Sequence, residues 1–223
     1  MKEHSNKKEL NKFHKDTFDK TTEDRRQKVI EVAIDEFSSN GYSATSINHI
    51  SRKSNISIGA LYSYFASKED LFLSIVNTAY DMMETILKDV AANSIDIFDC
   101  IERMLIASRE FATKNPKLNQ IYLGITTQAQ SHLSIRLSNK LEIITPQLLS
   151  NMIILAKNEG KIRNDIDERV AAYCIDNIYT MYQFSFSSDY YMERLKIYIG
   201  EDKLTDIESV EKSIIKFIRS AIG

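Results

Sequence analysis

Residues 56–72 read ISIGALYSYFASKEDLF. Small residues stand at its front (Ser57, Gly59, Ala60), aromatic ones at its back (Tyr62, Tyr64, Phe65), and no charge occurs before Lys68. A buried helix would leave two tyrosine hydroxyls seeking partners, and unpartnered buried polar groups are costly. A solvated helix would carry Glu and Lys on its outer side. An uncharged surface that is small at one end and aromatic at the other suits contact with something large.

Upstream, helical periodicity begins near Thr22. Val29, Ile30, Ala33 and Phe37 form an apolar stripe, with Arg25, Arg26 and Lys28 in the first turns. Asn40-Gly41 stops this helix, since Gly takes the backbone conformation that ends helices, and Tyr42 can fold back on the last turn. Thr45 reads as the N-cap of a short helix whose Ile47 and Ile50 lie one turn apart. The break "SNIS" follows: Asn55 suits a left-handed turn residue and Ser57 caps the next short helix. Ser67-x-x-Asp70 is a near capping box that opens a long helix with Leu71, Ile75, Val76, Ala79, Met82, Met83, Ile86 and Val90 along its seam.

Three short helices with a tight turn between the second and third make a helix-turn-helix unit, whose last helix enters the major groove by its N-terminal end. The small residues from Ser57 to Ala60 then permit close approach, and the hydroxyls of Tyr62 and Tyr64 can donate to phosphate oxygens. Packing against the first helix is the alternative for both tyrosines. Lys68 adds charge in the first turn of a helix, where the dipole also favours phosphate. His49 is expected on the surface of the second helix.

Residues 23–83 resemble the DNA-binding domain of the tetracycline-repressor (TetR) family of bacterial transcription regulators. The likeness runs through Ala33, Phe37, Gly41-Tyr42, Thr45-Ser46-Ile47, Ile50, Ile56-Ser57, Gly59, Leu61-Tyr62, Tyr64-Phe65 and Ser67-Lys68-Glu69-Asp70-Leu71. Departures from the family pattern include Ser51, Ser54-Asn55, Ile58 and Ser63. The resemblance implies a helix-turn-helix at about 46–65, a recognition helix over 57–65, and a homodimer on an inverted repeat. It also implies DNA contacts by Ile47, Ser57, Ile58, Gly59, Ala60, Tyr62, Ser63, Tyr64 and Lys68. Because the helix carries no Arg, Lys, Asn or Gln, base reading falls to Ile58, Ala60 and Ser57, which suit thymine methyls and an AT-rich site.

The chain is all-α by its pattern: a flexible arm over 1–21, a DNA-binding domain over 22–83, and a helical ligand-binding and dimerisation domain over 84–223. Only 2 Pro and 6 Gly occur in 223 residues, which favours helices. In the larger part, Phe98, Ile101, Met104, Leu105 and Phe111 share helical spacing. Pro146 begins or kinks a helix that Gly160 ends, and Asp167 caps another. In the resembled family the ligand cavity lies among the helices before Gly160, and the last two long helices pair with their copies; here those are about 167–187 and 205–222. The first of these is apolar on more than one side (Val170, Cys174, Ile178 and Met181; Tyr179, Tyr182 and Phe186), so it needs a second partner. Val210, Ile214, Phe217, Ile218 and Ala221 stripe the last helix. Met104, Phe111, Tyr122, Met152, Tyr173 and Asn177 are the pocket candidates.

Net charge is −2, yet residues 1–68 carry 12 Lys and Arg against 9 Asp and Glu, and the remainder 17 against 22. That asymmetry fits a basic binding end and an acidic body. No run of about 18 apolar residues reads as a membrane span, and the N-terminus lacks the apolar segment of a secretory signal. Cys100 and Cys174 lie far apart without nearby His, so neither a disulfide nor a zinc site is expected, and the cytoplasm is the expected compartment. No nucleophile–base set, metal-spaced cluster or phosphate loop points to an enzyme or a cofactor. The leading reading is a ligand-released repressor; the alternative is an architectural or partner-binding protein that uses the same DNA module without an inducer.

Overall fold

The computed structural model describes residues 12–127 and 144–223, together with Leu133. Every regular element among them is helical: α1 (Asp16–Asp19), α2 (Glu23–Ala44), α3 (Ile47–Lys53), α4 (Ile58–Tyr64), α5 (Lys68–Asn93), α6 (Ile97–Lys114), α7 (Pro116–Thr127), α8 (Ile144–Asn158), α9 (Glu168–Phe184), α10 (Asp189–Ile199) and α11 (Ile207–Ile222). A 3₁₀ turn, Lys203–Thr205, precedes α11. The chain divides into two compact units between Tyr80 and Asp81, within α5. None of the described helices is long and apolar enough to cross a membrane.

The first unit buries Val29, Val32, Ala33 and Phe37 of α2 with Ile50 of α3, Leu61 and Tyr64 of α4, and Leu71, Phe72, Ile75 and Val76 of α5. Two turn residues shape it. Gly41 breaks α2 at φ 70°, ψ 173°, a region closed to residues with a Cβ. Asn55 takes φ 54° between α3 and α4, the left-handed conformation that Asn tolerates. Ser46, rather than Thr45, holds the N-cap position of α3. Thr45 is buried instead, its hydroxyl within donating distance of the Glu36 and Gly41 carbonyls (3.0 and 2.7 Å), so it satisfies the end of α2.

The N-terminal segment differs from the expected arm. Its first eleven residues, Leu10 included, lie outside the described residues. From Lys15 onward, however, the chain packs: Phe18 on α1 is 6% exposed and sits against Tyr64 and Phe65. A four-residue helix has no periodicity to announce it, and a lone phenylalanine in a polar run reads as tail.

In the second unit, α9 packs on both α6 and α8, and α11 packs on α6. The core gathers Ile101, Met104 and Leu105 of α6, Leu149 and Ile153 of α8, Ala172, Ile175, Tyr179 and Tyr182 of α9, and Ile215, Ile218 and Ile222 of α11. Pro116 and Pro146 both stand at helix starts, where a missing N–H is harmless. Asp167 caps α9 by accepting from the Arg169 and Val170 amides (2.9 and 3.0 Å). Glu211 is buried here and accepts from Arg109 Nε at 2.7 Å and from the Tyr182 hydroxyl at 3.0 Å. Burial, reinforced by the Glu211 charge, pushes the Tyr182 phenol well above its ordinary range and keeps it a donor.

Candidate nucleic-acid interface

Helix α4 is two turns long, and its register sorts its residues cleanly. Leu61, Tyr64 and the following Phe65 face the interior, at spacings of three and four. Ser57, Ile58, Gly59, Tyr62 and Ser63 face out, with Ala60 half-buried; Ile58 and Tyr62 remain 43% and 45% exposed. A soluble surface that shows an isoleucine and a tyrosine one turn apart, with glycine between, is built for contact.

Gly59 gives the clearest indication of what that contact requires. Its φ is not positive, so the backbone does not demand glycine. A Cβ placed there would meet only the Ser57 hydroxyl, at 4.0 Å. Nothing within the chain therefore excludes a side chain at position 59. Glycine in a helix sacrifices roughly 1 kcal/mol relative to alanine, and close approach of an external backbone is a physical reason to accept that loss.

The hydroxyls around it have defined roles. Ser57 caps α4, its oxygen accepting from the Ala60 amide at 3.1 Å, so its proton stays available to an outside acceptor. Ser63 donates to the Ala60 carbonyl at 2.7 Å, which leaves its oxygen to accept and removes it as a phosphate donor. Ile47 opens α3 half-buried. Tyr64, expected at the phosphate surface, packs inward instead: it is 7% exposed, lies on Phe18 at 5.3 Å, and has its hydroxyl 3.2 Å from that of Thr21. Lying three residues after buried Leu61, it falls on the inner face of a helix that turns every 3.6 residues.

Lys68 occupies the first turn of α5, but its ammonium is already engaged. It donates to the Ser43 and Thr45 carbonyls at 3.1 and 3.0 Å and lies 4.6 Å over the Tyr42 ring. Burial among these groups lowers its pKa from the ordinary lysine range. Of its three N–H protons one remains for phosphate, so Lys68 ties the helix-turn-helix to α5 before it touches a ligand. A second clamp, with no local sequence pattern to mark it, joins α3 to α2: buried Glu36 of α2 meets Lys53 Nζ at 2.7 Å and His49 Nδ1 at 3.2 Å. The sequence shows only a carboxylate one position before Phe37, on the stripe that turns inward. Arg52 stays exposed on α3.

The pocket candidates separate in the second unit. Met104 and Phe111 are interior (2% and 6% exposed), and Met152 packs against the same core. Tyr122 is half-buried beside Phe184, with ring centroids 5.5 Å apart. Tyr173 and Asn177 do not line the interior of the chain: Tyr173 is 69% exposed, and the exposed Asn177 amide donates to the Tyr173 carbonyl at 2.8 Å. The core-facing stripe of α9 is Ala172, Ile175, Tyr179 and Tyr182, which puts Val170, Tyr173, Asn177 and Met181 on the opposite side.

Two short helices joined by a tight turn, the second with an uncharged exposed face, make a helix-turn-helix unit. Residues 29–75 match the family of bacterial regulatory proteins named tetR. The chain is 24% identical over 159 residues to a probable acrEF/envCD operon repressor of Escherichia coli K12, covering 70% of this chain and 72% of that one. Its fold is similar to a TetR family transcriptional regulator from Chloroflexus aurantiacus (TM-score 0.71, 21% identity, 94% of this chain and 98% of that chain). It is also similar to the transcriptional regulator FadR from Bacillus subtilis, solved in complex with stearoyl-CoA (TM-score 0.69, 16% identity, 88% and 99%). Residues 29–75 therefore carry a tetR-type DNA-binding module, and the rest of the chain shares the fold of such regulators.

Proposed function

We propose that this chain is a cytoplasmic repressor, without catalytic activity, that binds an inverted-repeat operator as a homodimer and is released by a small molecule. The observation that carries the DNA-binding part is Gly59, a helical glycine required by neither backbone nor packing, between exposed Ile58 and Tyr62. Ile58, Ala60 and the free Ser57 proton suit thymine methyls and DNA shape, so the operator is AT-rich. Tyr62 supplies phosphate affinity.

Dimerisation is supported by the outward faces of α9 and α11, which both pack on α6. Val170 and Tyr173 on α9, and Phe217 on α11, are 60%, 69% and 68% exposed. These are large apolar groups on the two helices that would pair with their copies. In the dimer, two recognition helices separated by about 34 Å reach successive major-groove faces. The effector sits among Met104, Phe111, Tyr122 and Met152 and is largely apolar. It needs only to bind a state of wrong separation better than the DNA-bound one, a coupling of about 1–3 kcal/mol.

The test is selection from random duplexes with the full chain and with Ile58→Ala. An AT-rich inverted repeat whose preference changes at one position per half-site in the variant is the expected result. A G/C-centred consensus, or an unaltered preference, sinks the reading.

A further inference from the structure

A helix leaves its last carbonyls without partners of its own. In α4, Phe65 N–H returns to the Leu61 carbonyl at 3.0 Å, and the carbonyls of Tyr62, Ser63 and Tyr64 come after it. All three are met by the segment that precedes α2. Lys15 Nζ donates to the Tyr62 carbonyl at 2.9 Å, the Thr17 hydroxyl donates to that of Ser63, and the Lys15 amide donates to that of Tyr64 at 2.8 Å. Phe18 packs against both Tyr64 and Phe65, with ring centroids 5.3 and 4.8 Å apart.

The same segment is fixed at its other end. Arg26 of α2 donates through Nη1 to the Asp19 and Thr21 carbonyls, both at 2.7 Å. Within it, Asp19 draws in Lys12 at 2.6 Å and His14 at 2.8 Å. Residues 15–21 thus span from α2 to the C-terminal end of α4, binding three consecutive carbonyls and filling the apolar gap between them. Sequence distance makes this specific: Lys15 and Tyr62 are 47 residues apart.

We propose that residues 15–21 are a positioning strap for the recognition helix, so that base reading depends on a segment outside the 29–75 family match. Helix α4 has seven residues and a length of about 10 Å. A tilt of about 10° at its strapped end would carry Ile58 and Gly59 by about 1.5 Å, more than a hydrogen bond or methyl contact tolerates. Phosphate contacts by flexible side chains follow such a shift; base contacts do not. The strap should therefore govern specificity more than general affinity, a claim that rests on the proposed DNA-binding function.

The experiment uses the full chain with Thr17→Val, which keeps shape and removes the donor, Thr17→Ser, which restores it, and Phe18→Ala. Two probes are compared: the duplex that the wild-type chain enriches from a random pool, and a shuffled duplex of equal composition. Thr17→Val should weaken the enriched duplex about fivefold, the effect of one lost hydrogen bond. It should leave the shuffled duplex nearly unchanged, and Thr17→Ser should recover the loss. Equal weakening of both duplexes, or no weakening, overturns the strap. A wild-type chain that enriches no duplex defeats the DNA-binding reading instead, and hydrogen exchange then decides the strap alone. Faster exchange at the Leu61–Phe65 amides in Thr17→Val and Phe18→Ala, with the 81–223 unit unchanged, upholds it; unchanged exchange there overturns it. Should Phe18→Ala fail to fold, Thr17→Val carries both measurements.

Discussion

The Lys68 ammonium donates to the Thr45 carbonyl at 3.0 Å, joining the first turn of α5 to the residue just before the helix-turn-helix. A second bond to Ser43 and the Tyr42 ring beneath fix its direction. Lys68→Met keeps the apolar stem and deletes the charge. Thermal unfolding should show a loss of about 1 kcal/mol, because two carbonyls lose a charged donor. The dependence of DNA affinity on salt should flatten by about one unit if the third N–H meets phosphate. A variant of unchanged stability would show that these bonds contribute nothing.

Gly59→Ala separates folding from binding by sign. The added methyl meets no atom closer than 4.0 Å and removes a helical glycine, so stability should hold or rise by up to about 1 kcal/mol. DNA affinity should fall at least about tenfold if a DNA backbone approaches this face, the scale of a lost base-pair contact. Differential scanning calorimetry beside fluorescence anisotropy reads both. A more stable protein with undiminished DNA binding would remove Gly59 from the interface.

Much of this site was legible in local chemistry. Gly41 and Asn55 stand where the backbone takes positive φ, and their residue types say so without reference to distant chain. The partners of Lys68 lie 23 and 25 residues upstream, beyond any local pattern. Tyr64 was in principle readable, since Leu61, Tyr64 and Phe65 share one helical face; its aromatic likeness to Tyr62 obscured that register. Tyr173 and Asn177 show the converse difficulty. The periodicity of α9 reveals two apolar stripes, but periodicity does not say which one meets the chain's own core.

Acid sensitivity should pass through Asp167. Its carboxylate accepts from the Val170 and Arg169 amides, which hold its pKa below the ordinary aspartate value. A carboxylate depressed in the folded state contributes stability above its unfolded pKa, about 4, and loses it as pH falls through the folded value. The melting temperatures of the wild type and Asp167→Ala should therefore differ fully near neutrality and converge in acid. A gap that stays constant down to the acid limb would mean that the charge on the cap is immaterial.

Phe217→Glu tests the proposed dimer without disturbing the monomer's core. Phe217 is 68% exposed within the chain, whereas its neighbours Ile215 and Ile218 are buried at 5% and 2%. A glutamate there stays in water so long as the chain is alone. In a dimer formed through α9 and α11 it would be carried into an apolar seam, where desolvating a charge costs several kcal/mol. The variant should therefore keep wild-type helicity while sedimenting as a monomer at concentrations where the wild type is dimeric. Tyr173→Glu, 69% exposed on α9, should act in the same direction. Ile218→Glu is the contrasting control: it places the charge in the chain's own core and should unfold it. If Phe217→Glu and Tyr173→Glu both sediment as stable dimers, copies of the chain meet elsewhere, and the exposed faces of α9 and α11 need another explanation.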